Sequence, residues 1–116
     1  MIVIIRGRAT SEQVTQRLKT LGIYIKMAVD VEREVLAGGG ELHADCELGL
    51  LEDGSSQSNV WGADWYPTNQ TVCFESIINI RPNANNRSMQ IQDAVLRQRV
   101  EKIVRAYLEG VQFQWE

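Results

Sequence analysis

A two-residue alternation of apolar and polar side chains flanks three consecutive glycines and sets narrow limits on the fold of this chain. Apolar residues stand at every second position from Ile25 to Val31, and again from Leu42 to Leu50 after Gly38–Gly40. Successive side chains of a strand point to opposite faces, and glycine tolerates the backbone of a tight reversal. We therefore expect residues 23–51 to form a long antiparallel hairpin, although residues 31–37 also suit a helix.

Two amphipathic helices are predicted outside this hairpin. Thr10 and Gln13 have the spacing of a capping box, apolar residues then recur at helical spacing, and Gly22 marks the stop. The second helix is expected from about Asp93 to Glu109, where apolar residues line one side. Each helix therefore has one apolar side to bury.

Apolar or alternating runs predict further strands at residues 2–5 and 71–81 and in the tail 111–115, and a strand or ordered loop at residues 60–67. Packing both helices on one face of a mainly antiparallel sheet would bury all of these apolar stripes. The predicted fold class is α+β, in a single globular domain spanning residues 1–116.

Composition argues against several classes of protein. The net charge of −3 argues against nonspecific nucleic-acid binding, and no stretch approaches the ~20 apolar residues that span a bilayer. The opening residues do not resemble a signal peptide. Cys46 and Cys73 lack metal-ligand or redox spacing. We expect two reduced thiols in a cytoplasmic protein, with a disulfide between adjacent strands as the alternative, and we predict no cofactor.

Five segments resemble a known family when taken together. They are, in order, GGELHAD, LLEDGSSQ, VWGADWYP, INIRP and NRS. This set is similar to a family of small bacterial proteins known only as a domain of unknown function, over most of the chain up to Gly110. The resemblance implies one compact domain, and it brings no activity, cofactor or site residue.

The only histidine, His43, precedes Asp45 and Glu47 on the polar face of the predicted return strand. Same-face residues of a strand lie about 7 Å apart, so we expect His43 and Asp45 to converge on one ligand, with Glu47 at its edge. Imidazole and carboxylate would also suit a metal ion, with Glu75 or Asp30 as a further ligand. The alternative is a solvated face on which His43 only pairs with a carboxylate.

A second candidate constellation is the loop that carries Arg81, Asn86 and Arg87. Two guanidinium groups with amide donors suit the capture of phosphate or carboxylate. The alternative is that these arginines neutralise the acidic run from Glu41 to Asp53. Trp61 is a candidate for stacking on a ligand ring, although such aromatic residues more often fill a core.

Three functions follow from these candidates. The leading hypothesis is the binding of an anionic small molecule by Arg81, Asn86 and Arg87, with acid–base or hydrolytic chemistry at His43 and Asp45. The second is a homo-oligomeric interaction or regulatory module without catalysis. It is favoured if the alternating tail crosses to a partner copy, and the alternative is that the tail pairs within its own chain. The third is a metal-dependent hydrolase or nuclease.

Overall fold

A computed structural model describes residues 2–114 and contains a five-stranded antiparallel sheet with helices on both faces. The strands lie in the order β1-β3-β2-β4-β5. They are β1 (Val3–Ile5), β2 (Ile25–Asp30), β3 (Val35–Gly38), β4 (Val60–Tyr66) and β5 (Thr71–Cys73). The helices are α1 (Ser11–Leu21), α2 (His43–Glu52) and α3 (Ala94–Leu108), and the fold class is α+β as predicted.

The central strand β2 divides two apolar layers. Its residues Ile25, Met27 and Val29 belong to the larger core, which also contains the apolar sides of α1 and α3. Ala28 faces the other way and packs in a smaller core against α2. The two predicted helices, α1 and α3, share one face as expected, but a third helix that was not predicted, α2, covers the second face.

Helices α1 and α3 form where the sequence predicts them. The Thr10 hydroxyl accepts a hydrogen bond from the Gln13 amide, and the Gln13 side chain accepts one from the Thr10 amide, which completes the capping box. Gly22 ends α1 with φ of 90°. Asp93 caps α3 by accepting hydrogen bonds from the amides of Val95 and Leu96.

The predicted return strand after the glycines is wrong, because these residues form α2. The alternation from Leu42 to Leu50 contains a pair four residues apart, Cys46 and Leu50, and both are fully buried against the sheet. Leu42 and Leu48 belong to the same alternation but are exposed. A spacing of four is one helical turn, so the buried subset fits a helix even though the full set suggests a strand.

The hairpin is shorter than predicted and turns earlier. It joins β2 to β3 through residues 31–34 rather than through the three glycines. The carboxylate of Asp30 accepts hydrogen bonds of 2.9 Å from the amides of Glu32 and Arg33 and so fixes the turn. Gly39, with φ of 95°, then directs the chain out of β3 toward α2.

The predicted strand over residues 71–81 ends at Cys73, and short 3₁₀ turns follow at Ile77–Asn79 and Pro82–Ala84. The tail forms no strand over residues 111–114, where Val111 and Phe113 pack against the larger core. Trp115, the last residue of the predicted edge strand, lies outside the described residues. No helix within the described part is long and apolar enough to cross a membrane.

Candidate functional site

His43 is the first residue of α2, and its ring reaches across to the central sheet. Its Nε2 lies 2.7 Å from Oδ1 of Asp64 on β4. The two side chains are largely buried, with 10% and 11% of their surfaces exposed. This pair joins the start of α2 to β4, the longest strand among residues 2–114.

The sheet register explains why a carboxylate faces α2 at this point. Asp64 lies opposite Lys26 on β2 and Cys73 on β5, and side chains of paired residues share a face. Farther along the same face the side chains are apolar, as at Ala28 and Val60. Asp64 and Lys26 therefore form the polar end of a face that is otherwise covered by α2.

The hydrogen bond to Asp64 determines which ring nitrogen of His43 is free. An ionised carboxylate only accepts hydrogen bonds, so Nε2 is the nitrogen that carries the proton in the neutral ring. Within residues 2–114, Nδ1 makes no hydrogen bond. The pair therefore orients an imidazole whose Nδ1 lone pair is left to accept a proton or a hydrogen bond.

The His43–Asp64 pair lines an open cleft of about 510 Å³. Tyr24 and Tyr66 form part of its wall, with their rings stacked at a centroid distance of 4.9 Å and an angle of 7°. The ammonium group of Lys26 donates a 3.1 Å hydrogen bond to the carbonyl oxygen of Glu41. We call this the His43 cleft; its remaining lining residues are Leu42, Ala44, Glu75, Ser76, Ile77, Ile78 and Met89.

The rim of the His43 cleft is apolar and exposed. Leu42 and Ile77 are 56% and 75% exposed, and Met89 is also exposed. Ser76, in contrast, is buried, and its hydroxyl oxygen accepts a hydrogen bond from the Ile78 amide. The cleft thus combines apolar and aromatic lining residues with a few polar groups, which is typical of sites for small organic molecules.

Asp45 does not join His43 in this cleft. Two residues along a helix differ by roughly 200° around its axis, so the two side chains that would share a strand face diverge on α2. Asp45 is exposed and lines a separate cleft of about 530 Å³ together with Glu41 and Glu52. The predicted convergence of His43 and Asp45 is therefore wrong, and Asp64 is the carboxylate that meets the histidine.

Glu47 and Arg81 bind each other. Arg81 Nη2 lies 3.0 Å from a carboxylate oxygen of Glu47, and both side chains are largely buried. The other guanidinium nitrogens of Arg81 donate to the carbonyl oxygens of Gln57 and Ile78. Burial lowers the pKa of Arg81, and the adjacent Glu47 carboxylate opposes that shift. Arg81 thus neutralises part of the acidic run, as the alternative interpretation predicts.

The remaining predicted residues have no side chain in the His43 cleft. Asn86 is buried, and its amide donates to the carbonyl oxygens of Asn79, Ser88 and Gln90. Arg87 is exposed, with no side-chain hydrogen bond to any residue within 2–114. Trp61 is buried, with the guanidinium of Arg81 4.6 Å from its ring centroid.

Three residues that accompany His43 are not predicted from the sequence, namely Tyr24, Lys26 and Asp64. One signal was present, because Asp64 is the only charged residue in the apolar and aromatic segment 60–67. A carboxylate inside such a strand needs a partner when it is buried. The described residues contain no group of three or more histidine, cysteine, aspartate and glutamate side chains arranged to hold a metal ion.

Fold and cleft together define an α+β protein with a histidine–aspartate pair in an open cleft between α2 and the sheet. The chain belongs to the family DUF5674, proteins of unknown function, whose match covers residues 3–107. This range includes every residue that lines the cleft. No curated protein and no solved structure is significantly similar to the chain.

Proposed function

We propose that this protein binds a small organic molecule in the His43 cleft and exchanges a proton with it through Nδ1 of His43. The observation that carries the proposal is the 2.7 Å contact between His43 Nε2 and Asp64 Oδ1 in the wall of the cleft. A carboxylate in this position fixes the tautomer and the orientation of the ring, and it stabilises the protonated form when it appears. His43 would then act as general acid or base in a proton transfer or hydrolysis.

The arginine loop is not part of this proposal. Arg81 binds Glu47 and two carbonyl oxygens, and the side-chain amide of Asn86 donates to neighbouring backbone carbonyl oxygens. Releasing Arg81 for a ligand would leave the Glu47 carboxylate without its partner in a largely buried position. The expected anion clamp therefore has little support from the geometry.

The experiment compares two matched substitutions, Asp64→Asn and Asp45→Asn. A fragment library of neutral, cationic and anionic compounds is screened against the wild type by NMR, with the ring signals of the only histidine as reporter. We expect fragments that shift the His43 signals, and we expect Asp64→Asn to weaken their binding while Asp45→Asn leaves it unchanged. A wild type that responds to no fragment would refute the proposal, and so would equal effects of the two variants.

A second candidate function is self-association without catalysis, favoured by the exposed apolar rim of the cleft. Ile77 and Leu42 expose more than half of their surfaces, and exposed apolar residues grouped at one place suit a protein contact. We expect sedimentation analysis over a wide concentration range to give a concentration-dependent dimer that Ile77→Ser weakens. A wild type that stays monomeric throughout would rule this candidate out.

A further inference from the structure

We infer that the compound bound in the His43 cleft is a planar, nitrogen-rich molecule that is neutral or positively charged, such as an aromatic amidine or an amino-substituted heterocycle. This inference rests on the proposed function of the same cleft and names its ligand class. Three features support it: the stacked tyrosines, the balance of charge, and the excess of hydrogen-bond acceptors.

The first feature is the aromatic wall. Tyr24 and Tyr66 are both partly exposed and stack nearly parallel, with an angle of 7° between their rings. Because the rings cover each other's inner faces, an outer face of the stack is what a ligand can meet. Such a face favours flat ligands, and its negative charge attracts cations. The two rings come from the residue before β2 and from the last residue of β4, so adjacent strands hold them in place.

The second feature is the charge of the cleft. The lining of the cleft includes one lysine, Lys26, and two acidic residues, Asp64 and Glu75. Lys26 also donates to the carbonyl oxygen of Glu41, which occupies one of its donors. While the His43 ring is neutral, an anionic ligand would meet an excess of negative charge here, whereas a cationic ligand would be attracted.

The third feature is the set of hydrogen-bonding groups. Nδ1 of His43 offers a lone pair in the neutral tautomer, and the carboxylates of Asp64 and Glu75 are acceptors. One Glu75 oxygen receives a 3.3 Å hydrogen bond from Gln90, while the whole residue remains exposed. A ligand with several N–H donors on a flat frame matches these acceptors, and the apolar rim at Leu42 and Ile77 would cover its edge.

The experiment uses three probes that separate shape from charge: benzamidine, benzoate and cyclohexylamine. Each is titrated against the whole protein while the ring signals of His43, Tyr24 and Tyr66 are followed by NMR. We expect benzamidine to saturate these signals, and we expect benzoate and cyclohexylamine to bind roughly tenfold more weakly. Equal or tighter binding of benzoate would overturn the assignment of charge, and equal binding of cyclohexylamine would overturn the assignment of shape.

Two pairs of variants locate the benzamidine site. Tyr24→Leu should weaken binding by roughly threefold, and its control is Tyr107→Leu on α3, on the other side of the sheet. Glu75→Gln should also weaken binding, whereas Glu12→Gln, an exposed change on α1, should not. If a control variant weakens benzamidine binding as much as its partner variant does, benzamidine binds elsewhere and the inference is overturned.

The two proposals fail in different ways. If library fragments shift the His43 signals but benzamidine does not, the ligand class is wrong and the proposed function stands. If neither benzamidine nor any fragment shifts these signals, both are wrong.

Discussion

One carboxamide, that of Asn79, closes the open edge of β4 beyond the end of β5. Its Oδ1 accepts a 2.8 Å hydrogen bond from the Gly62 amide. Its Nδ2 donates to the carbonyl oxygens of Gly62, Phe74 and Met89. Because β5 ends at Cys73, this fully buried side chain replaces the backbone partner that a longer strand would have supplied.

Asn79→Ala should lower the free energy of unfolding by about 2–3 kcal/mol, because buried backbone groups lose their hydrogen bonds. Urea unfolding measures the change, with Asn83→Ala in an exposed turn as the control. A loss no larger than that of the control would contradict the account of this strand edge.

The two thiols should differ in reactivity. Cys46 is fully buried, and burial raises the pKa of its thiol to about 11. Cys73 is partly exposed, and its pKa is also raised, by burial and then by the nearby Asp64 carboxylate. Since the thiolate is the reactive form, we expect a disulfide reagent at mildly alkaline pH to modify Cys73 first. Cys73→Ser should abolish that phase, and a fast phase that survives the substitution would contradict the prediction.

Among the secondary-structure elements, α2 is the one whose sequence pattern predicts a strand although the residues form a helix. Five apolar residues at every second position from Leu42 to Leu50 fit one face of a strand. Only Cys46 and Leu50 among them are fully buried, and the helix has no side chain that caps its first turn. Thr10 and Asp93 gave α1 and α3 recognisable starts, whereas α2 begins after Leu42 without such a signal. The packing of α2 on the sheet depends on residues distant in the sequence, so the local pattern of residues 42–50 does not predict it.

The missing cap gives a prediction at this scale. Leu42 precedes α2 with extended backbone (φ of −125°) and offers no side-chain hydrogen bond. Leu42→Ser should raise the free energy of unfolding by about 1 kcal/mol, because a serine hydroxyl at this position accepts from a free helix amide. Leu48→Ser is the matched control, since Leu48 is 55% exposed, close to the 56% of Leu42, but lies inside the helix. Equal changes in the two variants, measured in urea, would contradict the role of the cap.

At the scale of the whole molecule, Asp53 joins three distant parts of the chain. It follows the last residue of α2, and its two carboxylate oxygens each lie 2.7 Å from a guanidinium nitrogen, one of Arg6 and one of Arg33. Arg6 follows β1, and Arg33 lies in the turn between β2 and β3. Hydrogen bonds from Arg6 and then Arg33 lower the pKa of Asp53 from 3.8 to about 2.

Because the pKa of Asp53 is lower in the folded state, its contribution to stability is complete above the unfolded pKa and is lost as the pH falls toward about 2. Asp53→Asn should therefore be less stable than the wild type at neutral pH, and the difference should shrink as the pH falls below about 4. Urea unfolding at a series of pH values measures this. A difference that stays constant down to the lowest pH would contradict the prediction.

The sequence predicted the α+β class, the antiparallel pairing and two of the three helices, because capping residues and helical spacing are local signals. It singled out His43 as a candidate site residue but not the carboxylate that contacts it. His43 and Asp64 are 21 residues apart, and their contact depends on α2 packing on the second face of the sheet. On a strand over residues 41–51, Asp45 would be the next residue on the same face as His43. On α2 the side chains of His43 and Asp45 point in different directions, and the His43 ring contacts Asp64 on β4 instead.

The proposed site depends on Asp64, which holds His43 through Nε2 and leaves Nδ1 for the ligand. The nitrogen-15 NMR spectrum of the imidazole reports this arrangement, because a chain with one histidine gives one set of ring signals. For the neutral ring, we predict a proton on Nε2 and none on Nδ1, and a shift in the tautomer populations in Asp64→Asn. A proton on Nδ1, with populations that do not respond to Asp64→Asn, would contradict the account.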